Sequence, residues 1–397
     1  MPMYSIGVGM VVRPALVLIL VSLALAACSD RPRGVLNPVA LQAEGTARVD
    51  MLVATTRQSL PDNSGEMFSG ERAREMGFAD ISISIPPDSV RKVGEVQWPQ
   101  RLPADPAREF VTVRADRIDL DEARARFHER LKEPGKKGRA LVFVHGYNNR
   151  FEDVVMRYAQ IVHDSRAPVV PLVFTWPSRG QVVAYTYDRE SSNYSRDALY
   201  QLLAALCKDP QVSEISILAH SMGNWVTMEA LRTMALREGK VNGKIGNIML
   251  ASPDVDVDVF RTQMRALGDD HPAMTLFVSR DDKALQWSTF VWGDVPRLGV
   301  IDPTQEPFKS DLASENIQVV DLSDVKASGG MGHSKFADQP DVVRSIGTRL
   351  AQGQVVSDQR VGLGESLTLG ASSAGAAIGG LAGKVVTAPL VVIEWQN

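Results

Sequence analysis

The chain has 397 residues, 44% of them hydrophobic, and a formal net charge of −4. That length and composition give room for one large α/β domain, or two small ones, around a packed core, and they exclude a wholly disordered chain. The charge balance supplies no overall basic surface, so nucleic acid is not an expected partner.

The first feature along the chain is an uncharged apolar run over residues 14–27, behind a single Arg13. A membrane-spanning helix needs about 20 apolar residues, and this shorter run, ending in small residues, has the build of a signal peptide. Its end, Leu25-Ala26-Ala27-Cys28, resembles the lipobox of bacterial lipoproteins. The resemblance implies a signal peptide over 1–27, lipidation of Cys28, and a membrane as partner through that anchor. Ser29 after the cysteine favours the outer membrane, facing the periplasm, with Asp30 one place later arguing less clearly. The only other cysteine is Cys207, in an apolar helical stretch, so an internal disulfide is not expected and Cys207 reads as a small buried hydrophobe. Residues 28–47, rich in Pro, Gly and polar side chains, read as a tether.

The domain is expected over 48–350. Arg48 to Thr56 and Phe78 to Ile85 read as strands, the second with period-two alternation, separated by a loop over 57–77. Val93 to Trp98 reads as a further edge strand, giving an antiparallel opening. After a charged helix, Leu120 to Lys132, strands at Ala140 to Val144, Val169 to Phe174, Ile215 to Leu218, Ile245 to Ala251, Met274 to Val278 and Ile317 to Leu322 alternate with helices. That alternation predicts an α/β fold with a mostly parallel sheet covered on both faces, and ligands at the C-terminal rim of its strands. Residues 351–397 form a glycine-rich tail in which Gly375, Gly379 and Gly383 stand four apart, fit either for packing on a helix or membrane or for a mobile tail.

Chemistry concentrates at Ala219-His220-Ser221-Met222-Gly223, where an apolar strand passes directly into a helical pattern. A serine at so sharp a turn takes strained backbone angles, which requires small residues two places before and two after it. The pentad resembles the nucleophile elbow of the α/β-hydrolases, with Ala219 in place of the first glycine. Together with His145-Gly146-Tyr147-Asn148, Trp176-Pro177-Ser178 and Ser252-Pro253-Asp254, it resembles a branch of bacterial α/β-hydrolases of largely unassigned activity, which implies an esterase or lipase. The resemblance covers Val49 to Leu350 and implies the α/β-hydrolase fold with antiparallel N-terminal strands.

The fold's chain order is nucleophile, acid, histidine. Only His271 and His333 follow Ser221; His271 stands at the start of a strand, on the wrong rim, which leaves His333 as general base. For the acid, the family spacing favours Asp282, with Asp254 and Asp281 as alternatives on the same rim. The backbone N–H groups of Met222 and Tyr147 are the expected oxyanion hole. His145 is expected to shape its loop and His220 to pack beside the nucleophile. Asp254, Asp256 and Asp258 lack the glycine turn and terminal glutamate of a calcium loop and are read as capping a helix from Phe260, so no metal and no cofactor is expected. Tyr147, Trp176, Tyr185, Tyr187 and Trp225 are candidates to line a pocket.

The expected activity is hydrolysis of carboxylic esters or lipids through an acyl-enzyme. The rivals are a non-catalytic envelope lipoprotein that uses the fold as a scaffold, and a (lyso)phospholipase. Oligomeric state is not legible.

Overall fold

The computed structural model describes residues 33–40, 43–326, 331–352 and 385–386. Three strands open the domain: β1 (Ala47–Ser59), β2 (Phe68–Ile85) and β3 (Val111–Ile118). Helix α1 (Leu120–Leu131) leads to β4 (Arg139–Val144), α2 (Phe151–Ser165), β5 (Val170–Thr175), α3 (Tyr185–Lys208), β6 (Glu214–His220) and α4 (Gly223–Glu238). Then come β7 (Ile245–Ala251), α5 (Val257–Leu267), β8 (Ala273–Val278), α6 (Lys283–Val291), α7 (Phe308–Ser314), β9 (Gln318–Asp321), α8 (Lys335–Asp338) and α9 (Pro340–Gln352). A two-residue strand, β10 (Val385–Val386), completes one sheet of order β10-β9-β8-β7-β6-β4-β5-β1-β2-β3.

From β1 through β9 every ladder between β1, β5, β4, β6, β7, β8 and β9 is parallel. The first three strands pair antiparallel with one another, as expected, but β1 joins the main sheet in parallel, so β2 alone of the three runs against it. Side chains alternate between two cores. Ala140, Val142 and Val144 of β4 face α1, α3, α4 and α5, while Leu141 and Phe143 face α2, α8 and α9. Runs buried on both faces are the signature of a parallel sheet enclosed by helices.

Several expectations near the N-terminus change. The loop expected over 57–77 shrinks, because β2 starts at Phe68. Its polar stretch shows no alternation, and it is held as strand by α3, where the Tyr187 and Tyr194 hydroxyls donate to the carbonyls of Gly70 (3.0 Å) and Ala73 (2.7 Å). Val93 to Trp98 is not a strand. Its backbone closes local turns, Glu95 to Lys92 (3.2 Å) and Trp98 to Val96 (3.0 Å), and Val111–Ile118 takes the edge position instead. The tether expected through residue 47 is already docked by Val35 and Leu36, both buried, with Val39 N–H donating to the Thr112 carbonyl at 2.9 Å. The glycine stripe Gly375, Gly379, Gly383 and the lipobox at Cys28 lie outside the described residues. Cys207 is buried and free, and burial pushes its thiol up to about 11. Among the described residues no helix is long and apolar enough to cross a membrane.

Asp80 of β2 fastens α1 to this end of the sheet. It is 1% exposed and receives Arg114 at 2.9 Å together with Arg126 and Arg130. Burial alone would raise its pKa, but the arginine hydrogen bonds and charges outweigh it and hold the carboxyl below its ordinary value. A folded-state pKa below the unfolded value of about 3.9 gives stability that is present above that value and lost as pH falls through the folded one. Asp80→Asn is expected to cost about 3–5 kcal/mol at neutral pH, by leaving buried cations unpaired, and to flatten the acid limb of stability measured by urea unfolding between pH 2 and 7.

Candidate active site

Strand β6 and helix α4 meet at Ser221, whose φ of 54° is left-handed, a costly conformation for a non-glycine residue. The turn is fixed from beneath. Asn224, fully buried, donates its side-chain amide to the carbonyls of Ser221 (2.9 Å) and Ala251 (3.0 Å), while the Asp254 backbone N–H donates to Ser221 at 3.2 Å. The small-residue requirement is visible in the close approaches. A Cβ on Gly223 would stand 2.4 Å from the His145 carbonyl oxygen and 2.5 Å from that of Val144, and one on Gly146 would stand 2.7 Å from the Ser221 Cβ.

The loop after β4 is therefore pressed against the serine, and its shape is heavily determined. His145 is buried, and desolvation keeps its pKa well below the usual histidine value. As neutral imidazole it donates Nδ1–H to the Gly146 carbonyl (2.8 Å) and accepts the Trp176 backbone N–H at Nε2 (3.0 Å), a tautomer assigned from these partners. Trp176 stacks on it at 4.7 Å and returns its indole N–H to the His145 carbonyl. Asn149 turns the Gly146 and Tyr147 carbonyls onto its side-chain amide, at 3.0 and 2.8 Å. Among the described residues neither the Tyr147 nor the Met222 backbone N–H is taken up by a protein acceptor.

Two residues that no local pattern singles out hold this loop. Asp188, fully buried in α3, accepts from the backbone N–H groups of Asn148 (3.2 Å) and Arg179 (3.0 Å) and from the Ser178 hydroxyl (2.5 Å). Burial raises its pKa above the ordinary carboxylate value despite those hydrogen bonds. Arg57 of β1, 1% exposed, donates to Thr175 Oγ1 (2.7 Å) and to the carbonyls of Ser178 (2.8 Å) and Asn149 (2.8 Å). Burial lowers its pKa to about 10, so it stays a cation at neutral pH. An acid and an arginine embedded in amphipathic patterns leave no mark that separates them from surface charges.

In the loop after β9, His333 Nδ1 donates to Asp282 Oδ2 at 2.7 Å. Asp282 is fully buried, and its other oxygen caps α6, accepting from Ala284 (3.0 Å) and Leu285 (3.1 Å). The residues before His333 in its loop, 327–330, lie outside the described residues, but the Met331 carbonyl accepts from the Lys283 N–H at 3.0 Å and binds that loop to the acid's own turn. His220 Nε2–H donates to the His333 carbonyl at 3.1 Å, with the two rings 4.8 Å apart. Desolvation first, and the neighbouring His333 second, keep His220 well below its ordinary pKa.

The other candidate acids point elsewhere. Asp281 Oδ1 and Oδ2 take the buried Lys335 ammonium at 2.7 and 2.8 Å, and Asp281 also accepts the Ser279 hydroxyl. Asp254 accepts the Tyr185 hydroxyl at 2.8 Å and the Ser288 hydroxyl at 2.7 Å, with Arg297 3.5 Å away. Asp256, not Asp254, caps α5, accepting from Asp258 (2.8 Å) and Val259 (3.1 Å), and the helix begins at Val257 rather than Phe260. Among the described residues no cluster of His, Cys, Asp and Glu suits a metal ion. His271 stands at the N-terminal end of β8, its Nε2 2.9 Å from the Glu315 carbonyl.

The aromatic expectations divide. Trp176 is fully buried against His145, and Tyr187 lies on the β2 junction beneath Arg179 (3.6 Å), so neither lines a pocket over Ser221. Trp225 lies under Arg189, 3.5 Å from its ring. Tyr147 meets Tyr185 edge to face at 5.0 Å, and Tyr185 meets Trp287 at 5.4 Å. Burial and then Asp254 push the Tyr185 hydroxyl up to about 12.

A family model described as an alpha/beta hydrolase of unknown function (DUF900) matches residues 119–349. The chain belongs to this family. The matched span contains the elbow, the loop after β4, and both Asp282 and His333. No curated protein matches. Among solved structures the chain is similar to brefeldin A esterase, a bacterial homologue of human hormone sensitive lipase, at 11% identity, 88% coverage of each chain and a TM-score of 0.35. It is also similar to the siderophore hydrolase EstB from Aspergillus nidulans, at 11% identity, 80% coverage of this chain and 99% of that one, with a TM-score of 0.30. With TM-scores this low, these likenesses bear on neither substrate nor mechanism.

Gly223→Ala drives a methyl into two carbonyl oxygens that rigid strand and loop cannot move. It is expected to cost about 1–3 kcal/mol in chemical denaturation, more than Gly→Ala costs in an open loop.

Proposed function

We propose that this family member is a serine hydrolase of carboxylic esters, anchored in the bacterial envelope through Cys28. The observation that carries the reading is the 2.7 Å hydrogen bond from His333 Nδ1 to the buried Asp282, on the rim where the strained Ser221 turn stands. With Nδ1 committed to the carboxylate, Nε2 is the nitrogen left to receive the serine proton. Ser221 Oγ attacks the ester carbonyl as His333 takes that proton, and the Asp282 charge stabilises the imidazolium that results.

The oxygen that becomes negative is met by the Tyr147 and Met222 N–H groups, and that neither has an acceptor among the described residues supports their assignment as the oxyanion hole. Collapse of the tetrahedral species breaks the ester C–O bond, and the leaving alcohol takes its proton from His333. Water then enters by the reverse sequence, giving up a proton to His333 and releasing the acid from Ser221. The apolar run at 14–27 and the lipobox ending in Cys28 support the anchor.

Full-length protein treated with a fluorophosphonate probe is expected to label on one serine, and Ser221→Ala to remove the label. Unlabelled wild type instead favours the non-catalytic scaffold. The three aspartates separate by kinetics. Asp282→Asn is expected to lower kcat on a short-chain ester by about ten-thousandfold, by holding the imidazole in the wrong tautomer. Asp281→Asn should leave kcat within a few-fold while reducing stability by about 1–3 kcal/mol, since it strands the buried Lys335.

A further inference from the structure

Six large apolar side chains are exposed on segments that adjoin the Tyr147 and His333 loops. Val183 and Phe290 are 91% and 73% exposed, and Val182, Trp287, Trp292 and Met331 fall between 43% and 59%. They are connected through the site. The Tyr147 hydroxyl donates to the Val182 carbonyl, the Tyr185 ring touches Tyr147 and Trp287, and the Trp292 indole N–H donates to the Tyr185 hydroxyl at 2.9 Å. Met331 lies two residues before His333. The apolar collar therefore lies on segments tied to the Tyr147 loop on one side and the His333 loop on the other. An exposed apolar patch of this kind marks a contact surface, and tryptophan and phenylalanine are among the side chains that helices lying in the lipid interface present to it.

The two ends of the described domain indicate what covers it. At the N-terminal junction Glu66 stands 3.8 Å from both Arg33 and Arg150, and Arg150 begins α2 directly after the loop that carries Tyr147. The Arg33 side chain therefore reaches toward the β1–β2 turn, while two residues later the Val35 carbonyl accepts the Thr112 hydroxyl at 2.8 Å near the start of β3. Cys28 is five residues from Arg33, so its attachment lies within about 18 Å of that junction even at full extension. The C-terminal segment leaves beside the N-terminal end of β4, where Arg139, first residue of that strand, donates to the carbonyls of Leu350 (3.1 Å) and Ala351 (2.9 Å).

We propose that the collar rests on the lipid bilayer to which Cys28 is tied, so that the loops around the buried Ser221 face the headgroup layer and the site draws its ester from the membrane. The proposal rests on the anchored-hydrolase reading above. It adds a second, non-covalent membrane contact to the lipid anchor, the pairing that makes peripheral attachment stable.

The test reads position rather than activity, so it does not depend on the chemistry. Full-length acylated protein is reconstituted on vesicles of phosphatidylcholine and on the same vesicles carrying bromine on the acyl chains, and tryptophan emission is compared. Quenching by the brominated lipid is expected in the wild type, lost in the Trp287→Phe, Trp292→Phe double variant and reduced in Val183→Asp, Phe290→Asp, which keeps every tryptophan. The second variant should also hydrolyse a water-soluble short-chain ester at the wild-type rate while losing activity on ester held in vesicles. Protein that floats with the vesicles yet is quenched no more than the double variant overturns the proposal, with a second copy or the C-terminal segment as the cover. Failure to float at all overturns it together with the anchor. Absence of ester hydrolysis with quenching intact removes the enzymatic reading and leaves the docking surface standing.

Discussion

Asp282 is asked to be two things at once. One oxygen closes the first turn of α6 by accepting two backbone N–H groups, and the other receives His333. Capping fixes the carboxylate to a helix end, in a buried position where it has no freedom to rotate away, so the imidazole it orients inherits that rigidity. The neighbouring Asp281, one residue earlier and half solvent-facing, is pulled to the opposite side by Lys335. Two adjacent carboxylates thus divide structural and proposed catalytic work, with the division made by which one reaches the helix terminus.

The serine side is built on close packing of main chain. Glycines at 146 and 223 let the loop after β4 lie against the Ser221 turn, in a contact that leaves no room for side chains. Around it, Arg57 and Asp188 hold the loop from opposite directions. Their cost in desolvation is offset by making nearly all of their hydrogen bonds to backbone and hydroxyl groups of the loops they restrain.

What could be read from residues alone followed the strength of local pattern. Apolar runs of the parallel strands, and a small-Ser-small turn between strand and helix, are determined within a few residues of themselves, and they announced the sheet and the position of Ser221. A parallel sheet brings every strand end to one rim, which put Asp254, Asp281, Asp282 and His333 on the same side, and only the family resemblance favoured Asp282 among the acids. The start of β2 was hidden, since Glu71 to Glu75 becomes strand by contact with tyrosines of α3, more than 100 residues later. Asp188 and Arg57 were hidden for a similar reason, their importance lying in burial that only tertiary packing creates. Trp176 and Tyr187 were misplaced because a sequence shows that an aromatic is near a rim without showing which way its ring turns.

The link between His220 and the His333 carbonyl ties the last of these parts to the first. Ser221 and the loop bearing the proposed base are thereby surveyed from a common benchmark, a single imidazole one peptide unit from Ser221. Any drift of the long excursion after β9 is registered against the serine itself, and an insertion elsewhere in that excursion can lengthen it without changing where its histidine stands.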